Sequence, residues 1–85
     1  MPNNAWMKWR TAMLSLIVLR GHLGMVAKRS DAVRLLSTTL HYSQREARYV
    51  LRFLREEGLI DDDGFTVQVT AKGEEAVARL LGRLY

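Results

Sequence analysis

The chain predicts an α+β domain, mainly helical, with one small β-hairpin. Three observations predict it. Ser43 and Glu46 form an S-x-x-E capping box ahead of apolar residues at helical spacing. Asp63-Gly64 is a strong turn pair set between two short apolar stretches, the second of which alternates. Thr70, a residue type that caps helices, precedes another apolar helical stripe. The expected order is α-α-α-β-β-α within a single domain, 1–85.

The N-terminal helix is expected over 4–20, capped by Asn4 and closed by Gly21. Trp6, Trp9, Met13, Leu16, Ile17 and Arg20 follow its period. Residues 21–29 form a connector in which Met25-Val26-Ala27 reads as a short strand. Ser30 is the expected cap of a second helix from Asp31 to Leu40, with Asp31 near the positive end of its dipole. Val33, Leu36 and Leu40 mark its inner face. His41, Tyr42 and Ser43 alone separate it from the third helix, and this is helix-turn-helix spacing over 30–58. Tyr42 stands where a hydrophobic staple would pack on Ala47.

The third helix, 44–57, has two unlike faces. Ala47, Val50, Leu51 and Leu54 make one apolar stripe. Arg45, Arg48 and Arg52 gather on another side, with Tyr49 beside them. Gly58 ends the helix. The hairpin covers 59–69: Leu59-Ile60-Asp61, a turn at Asp62-Asp63-Gly64, then Phe65 to Val69. Phe65, Val67 and Val69 should share its dry face. A C-terminal helix, 70–85, carries Val77, Leu80, Leu81 and Leu84.

Composition bounds the function. Eighty-five residues, 48% of them apolar, suit one modest core and leave little room for a separate ligand domain. The formal charge is +4, and ten of the thirteen cations are Arg, the better fork for phosphates and guanine edges. There is no cysteine, which excludes disulfides, thiolate zinc sites and cysteine nucleophiles. The longest apolar run, Ala12 to Leu19, is broken by Ser15, short of a membrane span and a poor secretion signal. A soluble, cytoplasmic protein with no membrane partner is expected. His22 and His41 are isolated, and Asp61–Asp63 lacks the twelve-residue frame of a calcium loop, so no metal is expected. No nucleophile–base pair and no phosphate loop is evident, which argues against an enzyme and against a cofactor.

Leu35–Leu40, Ser43, Val50-Leu51, Leu54, Gly58-Leu59-Ile60 and Thr70-Ala71-Lys72-Gly73-Glu74 together resemble the winged helix-turn-helix family. The likeness is greatest to the DNA-binding part of MarR-like and PadR-like regulators, where "GLI" closes the recognition helix and "T-x-x-G" opens the helix after the wing. It covers about Ser30 to Leu81. The resemblance implies a partner, double-stranded DNA, with the third helix in the major groove. Gln44, Arg45, Arg48 and Tyr49 would meet base edges, and Arg52 would meet phosphate. Ser43, Thr38, Thr39, Lys28 and Arg29 would contact the backbone. The wing of this chain departs from a basic wing: Asp61-Asp62-Asp63 would repel phosphate. His41 stands in a turn where the family often has Gly, and His tolerates positive φ.

Trp6 and Trp9 read either as core or as partner-facing. With Met13, Leu80, Leu81 and Leu84 they are the expected interface of a homodimer that sets the spacing of two recognition helices. The expected function is sequence-specific duplex binding by a small transcriptional regulator, with no small-molecule effector evident. Two other readings stay open: a winged helix that contacts another protein, and a DNA-binding subunit of a replication, partition or recombination complex.

Overall fold

A computed structural model describes residues 5–23 and 26–84, with side chains from 9–22 and 27–82. The elements are α1 (Ala5–Leu23), β1 (Val26–Lys28), α2 (Arg29–Thr39), α3 (Gln44–Glu56), β2 (Ile60–Asp62), β3 (Thr66–Val69) and α4 (Ala71–Leu84). The class is α+β as expected, but the strands number three. The connector strand is real and pairs antiparallel with β3, Ala27 opposite Val67. β2 pairs with the other edge of β3, Ile60 opposite Val69, so the sheet order is β1-β3-β2.

The core forms where α1, α2 and α3 meet the inner face of this sheet. α3 contributes Ala47, Val50, Leu51 and Leu54, all buried, as their spacing predicts. Opposite them lie Leu16 and Leu19 of α1, Ala32, Val33 and Leu36 of α2, and Ile60, Val67 and Val69 of the sheet. Each fully buried leucine contributes at most about 1.5–3 kcal/mol.

Four expectations need correction here. Gly21 does not end α1; the helix runs on to Leu23, and Gly21 has none of the positive φ seen at Gly58 and Gly64. Ser30 does not cap α2. β1 hands its chain directly to α2, Lys28 is the N-cap without a side-chain bond, and the Arg29 N–H donates to the Phe65 carbonyl at 2.8 Å. The hairpin carbonyl therefore satisfies the first of the helix's unpaired N–H groups. The inner face of α1 is Ala12, Met13, Ser15, Leu16 and Leu19, which keeps Met13 and Leu16 of the expected stripe but is rotated from the rest, because apolar residues almost encircle this helix. Ser15 is tolerated there since its hydroxyl donates to the Thr11 carbonyl at 2.7 Å. Phe65 leaves the dry face altogether. It precedes β3 and is 81% exposed. The cap expected at Asn4 lies outside the described residues.

The turn before α3 and the junction after it follow the sequence closely. His41 has φ 59°. Ser43 and Glu46 close the capping box, Glu46 N–H to Ser43 Oγ at 3.1 Å and Ser43 N–H to Glu46 Oε1 at 2.9 Å. At the other end, Gly58 N–H donates to Arg55 and Leu59 N–H to Leu54, the paired bonds of a Schellman stop, with Gly58 at φ 75°. Lys72 Nζ donates to the Glu57 carbonyl at 2.8 Å. Thr70 ties the start of α4 to the same point. Its hydroxyl donates to the Gly58 carbonyl at 2.6 Å and accepts from the Gly73 N–H at 3.0 Å.

Gly73 packs so close that a Cβ would collide with the Leu59 carbonyl oxygen and come within 2.8 Å of Val69 Cγ1. Gly73→Ala is therefore expected to lower stability by about 1–3 kcal/mol. Gly21→Ala, where nothing lies within 4 Å of the added carbon, should raise it by about 0.5–1 kcal/mol. Urea midpoints measure both, and equal effects at the two sites would contradict the close approach at Gly73.

Candidate nucleic-acid interface

Burial of one side of α3 dictates what its other side shows. At about 100° per residue, Arg55, Arg48, Arg52 and Arg45 fall within about 80° of arc, away from the buried stripe. All four are exposed, as are Gln44 and Tyr49. None of the four arginines makes an ion pair among the described residues. Arg52 and Glu56 stand at pairing distance along the helix, yet they do not pair. The charge of this face is uncompensated by its own helix.

The flanks differ. Toward α2 and the hairpin, Gln44 and Arg48 share a cleft with Ser30, Val33, Arg34, Ser37, Arg29 and Gly64. Ser37 Oγ lies buried there without a hydrogen-bond partner. Arg52 and Arg55 share a second cleft with Arg29, Asp62, Asp63 and Gly64. Toward α1, Arg45 and Tyr49 border an apolar pocket of about 340 Å³ with Thr11, Ala12, Tyr42, Glu46, Val50 and Phe53. Trp9 closes on Phe53 edge to face, with ring centres 6.3 Å apart.

The backbone-contact residues expected from sequence are scattered more widely. Ser43 spends its oxygen on the cap of α3. Thr38 donates its hydroxyl to carbonyls of its own helix, Arg34 at 3.0 Å and Leu35 at 3.2 Å. Thr39 and Lys28 are exposed, at the end of α2 and of β1. Arg29 is engaged: its Nε meets Asp62 Oδ2 at 3.0 Å. Arg34, Ser37 and Arg55 line the same clefts and were not among the residues expected there. Arg55 was findable, since it continues the same 100° stepping as Arg48 and Arg52. Ser37 was not, because its burial depends on how α2 meets α3.

Two of the three aspartates have partners within the hairpin and α2. The Asp62 side chain is only 6% exposed, and its charge meets Arg29. Its second oxygen accepts from the Gly64 N–H at 2.9 Å. Asp63 folds back on the hairpin, with Oδ1 accepting from Phe65 N–H at 2.8 Å and Thr66 N–H at 2.7 Å. These carboxylates build the turn. Asp61 is exposed on the opposite side of its strand from Asp62.

The interface expected between copies is partly corrected. Met13 is buried in the core and also lines the groove between α1 and α4. Leu81 is half-buried against that core. Trp9, Met13 and Leu80 do line an open groove between α1 and α4, with Arg10, Leu14, Ile17, Ala76 and Arg79. Trp9 and Leu14 are each 45% exposed. The Trp6 and Leu84 side chains lie outside the described residues. No described helix is long and apolar enough to cross a membrane. Comparison of the chain with protein-family models, with curated proteins and with solved structures finds no match.

Bonds from the Thr66 and Phe65 backbone hold the Asp63 carboxyl below its ordinary value of 3.8. A depressed pKa means that the turn is stabilised above pH 3.8 and loses that support as acid titrates Asp63. The Phe65 and Thr66 amide proton shifts should therefore titrate together, with a midpoint below 3.8. Asp63→Ala should abolish that titration. A midpoint above the ordinary value would contradict these bonds.

Proposed function

We propose that this chain is a winged helix-turn-helix protein that binds duplex DNA through α3, as a homodimer serving as a small transcriptional regulator. One observation carries the reading. Four arginines without an ion-pair partner among the described residues share one side of a helix whose other side is buried and whose two ends are fixed. A cationic ridge of that kind matches the charge and width of a major groove. The short turn at His41 and the hairpin after α3 fit the same fold.

Within this reading Gln44, Arg45 and Arg48, nearest the start of α3, reach base edges, and Tyr49 packs beside them. Arg52 and Arg55 meet phosphate. Arg34, Thr39 and Lys28 add backbone contacts from α2 and β1. Selection of bound sites from random duplexes at stated salt is the direct test. A dimer touching about 4–8 phosphates should lose affinity with a log–log salt slope of roughly −4 to −7. Arg45→Ala and Arg48→Ala should each relax preference at one position by ~1–3 kcal/mol, while Arg52→Ala weakens all sequences alike. Flat salt dependence, or no duplex bound at low salt, overturns the reading.

The groove between α1 and α4 supports the homodimer. Its exposed Trp9 and Leu14 on α1, with the half-buried Leu80 of α4 beside them, make an apolar strip that a second copy would cover. A stable pair buries about 800 Å² on each subunit. Solution mass at micromolar concentration should be that of a dimer, and Leu14→Glu, with its side chain 45% exposed in the protomer, should give a folded monomer with weaker DNA binding. An intact chain that runs as a monomer while keeping full affinity for DNA would instead favour a different protein as the occupant of that groove.

A further inference from the structure

Phe65 has no place in the core among the described residues. It is 81% exposed, against 45–49% for Trp9, Leu14 and Tyr49. A single exposed apolar residue is ordinary. The backbone that carries this one is not. Phe65 N–H is held by Asp63 Oδ1 at 2.8 Å, and its carbonyl accepts from Arg29 N–H at 2.8 Å. The ring is presented on a fixed bend, so contact costs little ordering of the chain. Beside it, Gly64 borders the cleft of Arg34 and Arg48 and the cleft of Arg52 and Arg55. The tip thus stands at the edge of the cationic face. Lys28 and Arg29 flank the ring from the neighbouring strand and helix. Of the nearby carboxylates, Asp62 is paired with Arg29, and the exposed Asp63 accepts from backbone N–H groups of the turn.

We propose that Phe65 is a minor-groove wedge, a step that rests on α3 binding duplex DNA. An element beside a helix seated in the major groove crosses one sugar–phosphate strand and next meets the minor groove. A ring without hydrogen-bonding groups reads no base edge there. It inserts at a step that unstacks easily, above all TA or CA, and so selects sequence by deformability. The hairpin then contacts DNA through an apolar tip with cations behind it.

The test uses the full chain and duplexes enriched by selection. A TA step carrying 2-aminopurine is placed in turn at each position flanking the half-site. The wild-type protein should raise the probe's fluorescence at one flanking position. Phe65→Ala should lose that rise and about ten-fold in affinity, with the salt slope unchanged because no charge is removed. Phe65→Trp should keep both. If Phe65→Ala binds like the wild type, or the rise persists in it, the wedge is overturned. Should Arg48→Ala still weaken binding in that case, α3 as the reading helix survives. An intact chain that binds no duplex at low salt overturns both.

Discussion

The burial of one side of α3 is the constraint on which the rest of this structure depends. Ala47, Val50, Leu51 and Leu54 are the surface against which α1, α2 and the sheet all close. With that side committed, the helix cannot rotate, and its arginines can only face outward. The ends are equally committed. The Ser43–Glu46 box sets where α3 begins, and the Gly58 stop, Lys72 and Thr70 set where it ends and where α4 starts. Gly73 permits this knot because any side chain there would strike the Leu59 carbonyl. A rigid cationic ridge is the direct result of these contacts.

The charges around that ridge follow from the same packing. β1 leads straight into α2, which brings Arg29 over the hairpin and lets it take up Asp62. Asp63 is consumed by the turn. Of three aspartates that read as a barrier to DNA, two hold the hairpin together. The pair Arg29–Asp62 also fastens the hairpin to α2, so its tip holds its place beside Arg48 and Arg52. Bonds of this kind, partly shielded from water, hold position more than they add stability.

Local chemistry was legible in the sequence, and contacts between distant segments were not. The capping box, the positive φ at His41, the stop at Gly58 and the cap at Thr70 each depend on residues within a few positions of one another. The stripe on α3 was equally clear, since one side is apolar and the other charged. α1 failed for the opposite reason: Leu14, Ile17 and Val18 continue its apolar character around the helix, and no period singles out Ala12, Leu16 and Leu19. Ser30 looked like a cap because the sequence does not show that the Phe65 carbonyl waits for the Arg29 N–H. Phe65 satisfied the alternation of β3 but precedes the paired residues, so alternation did not govern it. Of the expected site residues, those on α3 came together as foreseen. Arg29 stands in the clefts beside them, but its pairing with Asp62, 33 positions away, was not legible.

The central claim is that the arginine side of α3 is the surface that meets duplex DNA. Amide and side-chain NMR shifts, followed while a selected duplex is added to the isotope-labelled chain, test it most directly. The account predicts perturbations centred on Gln44, Arg45, Arg48, Arg52 and Arg55 and extending to Gly64 and Phe65, with the buried Leu51 and Leu54 little changed. Perturbations confined to the groove of α1 and α4, or none on addition of excess duplex at low salt, would contradict it.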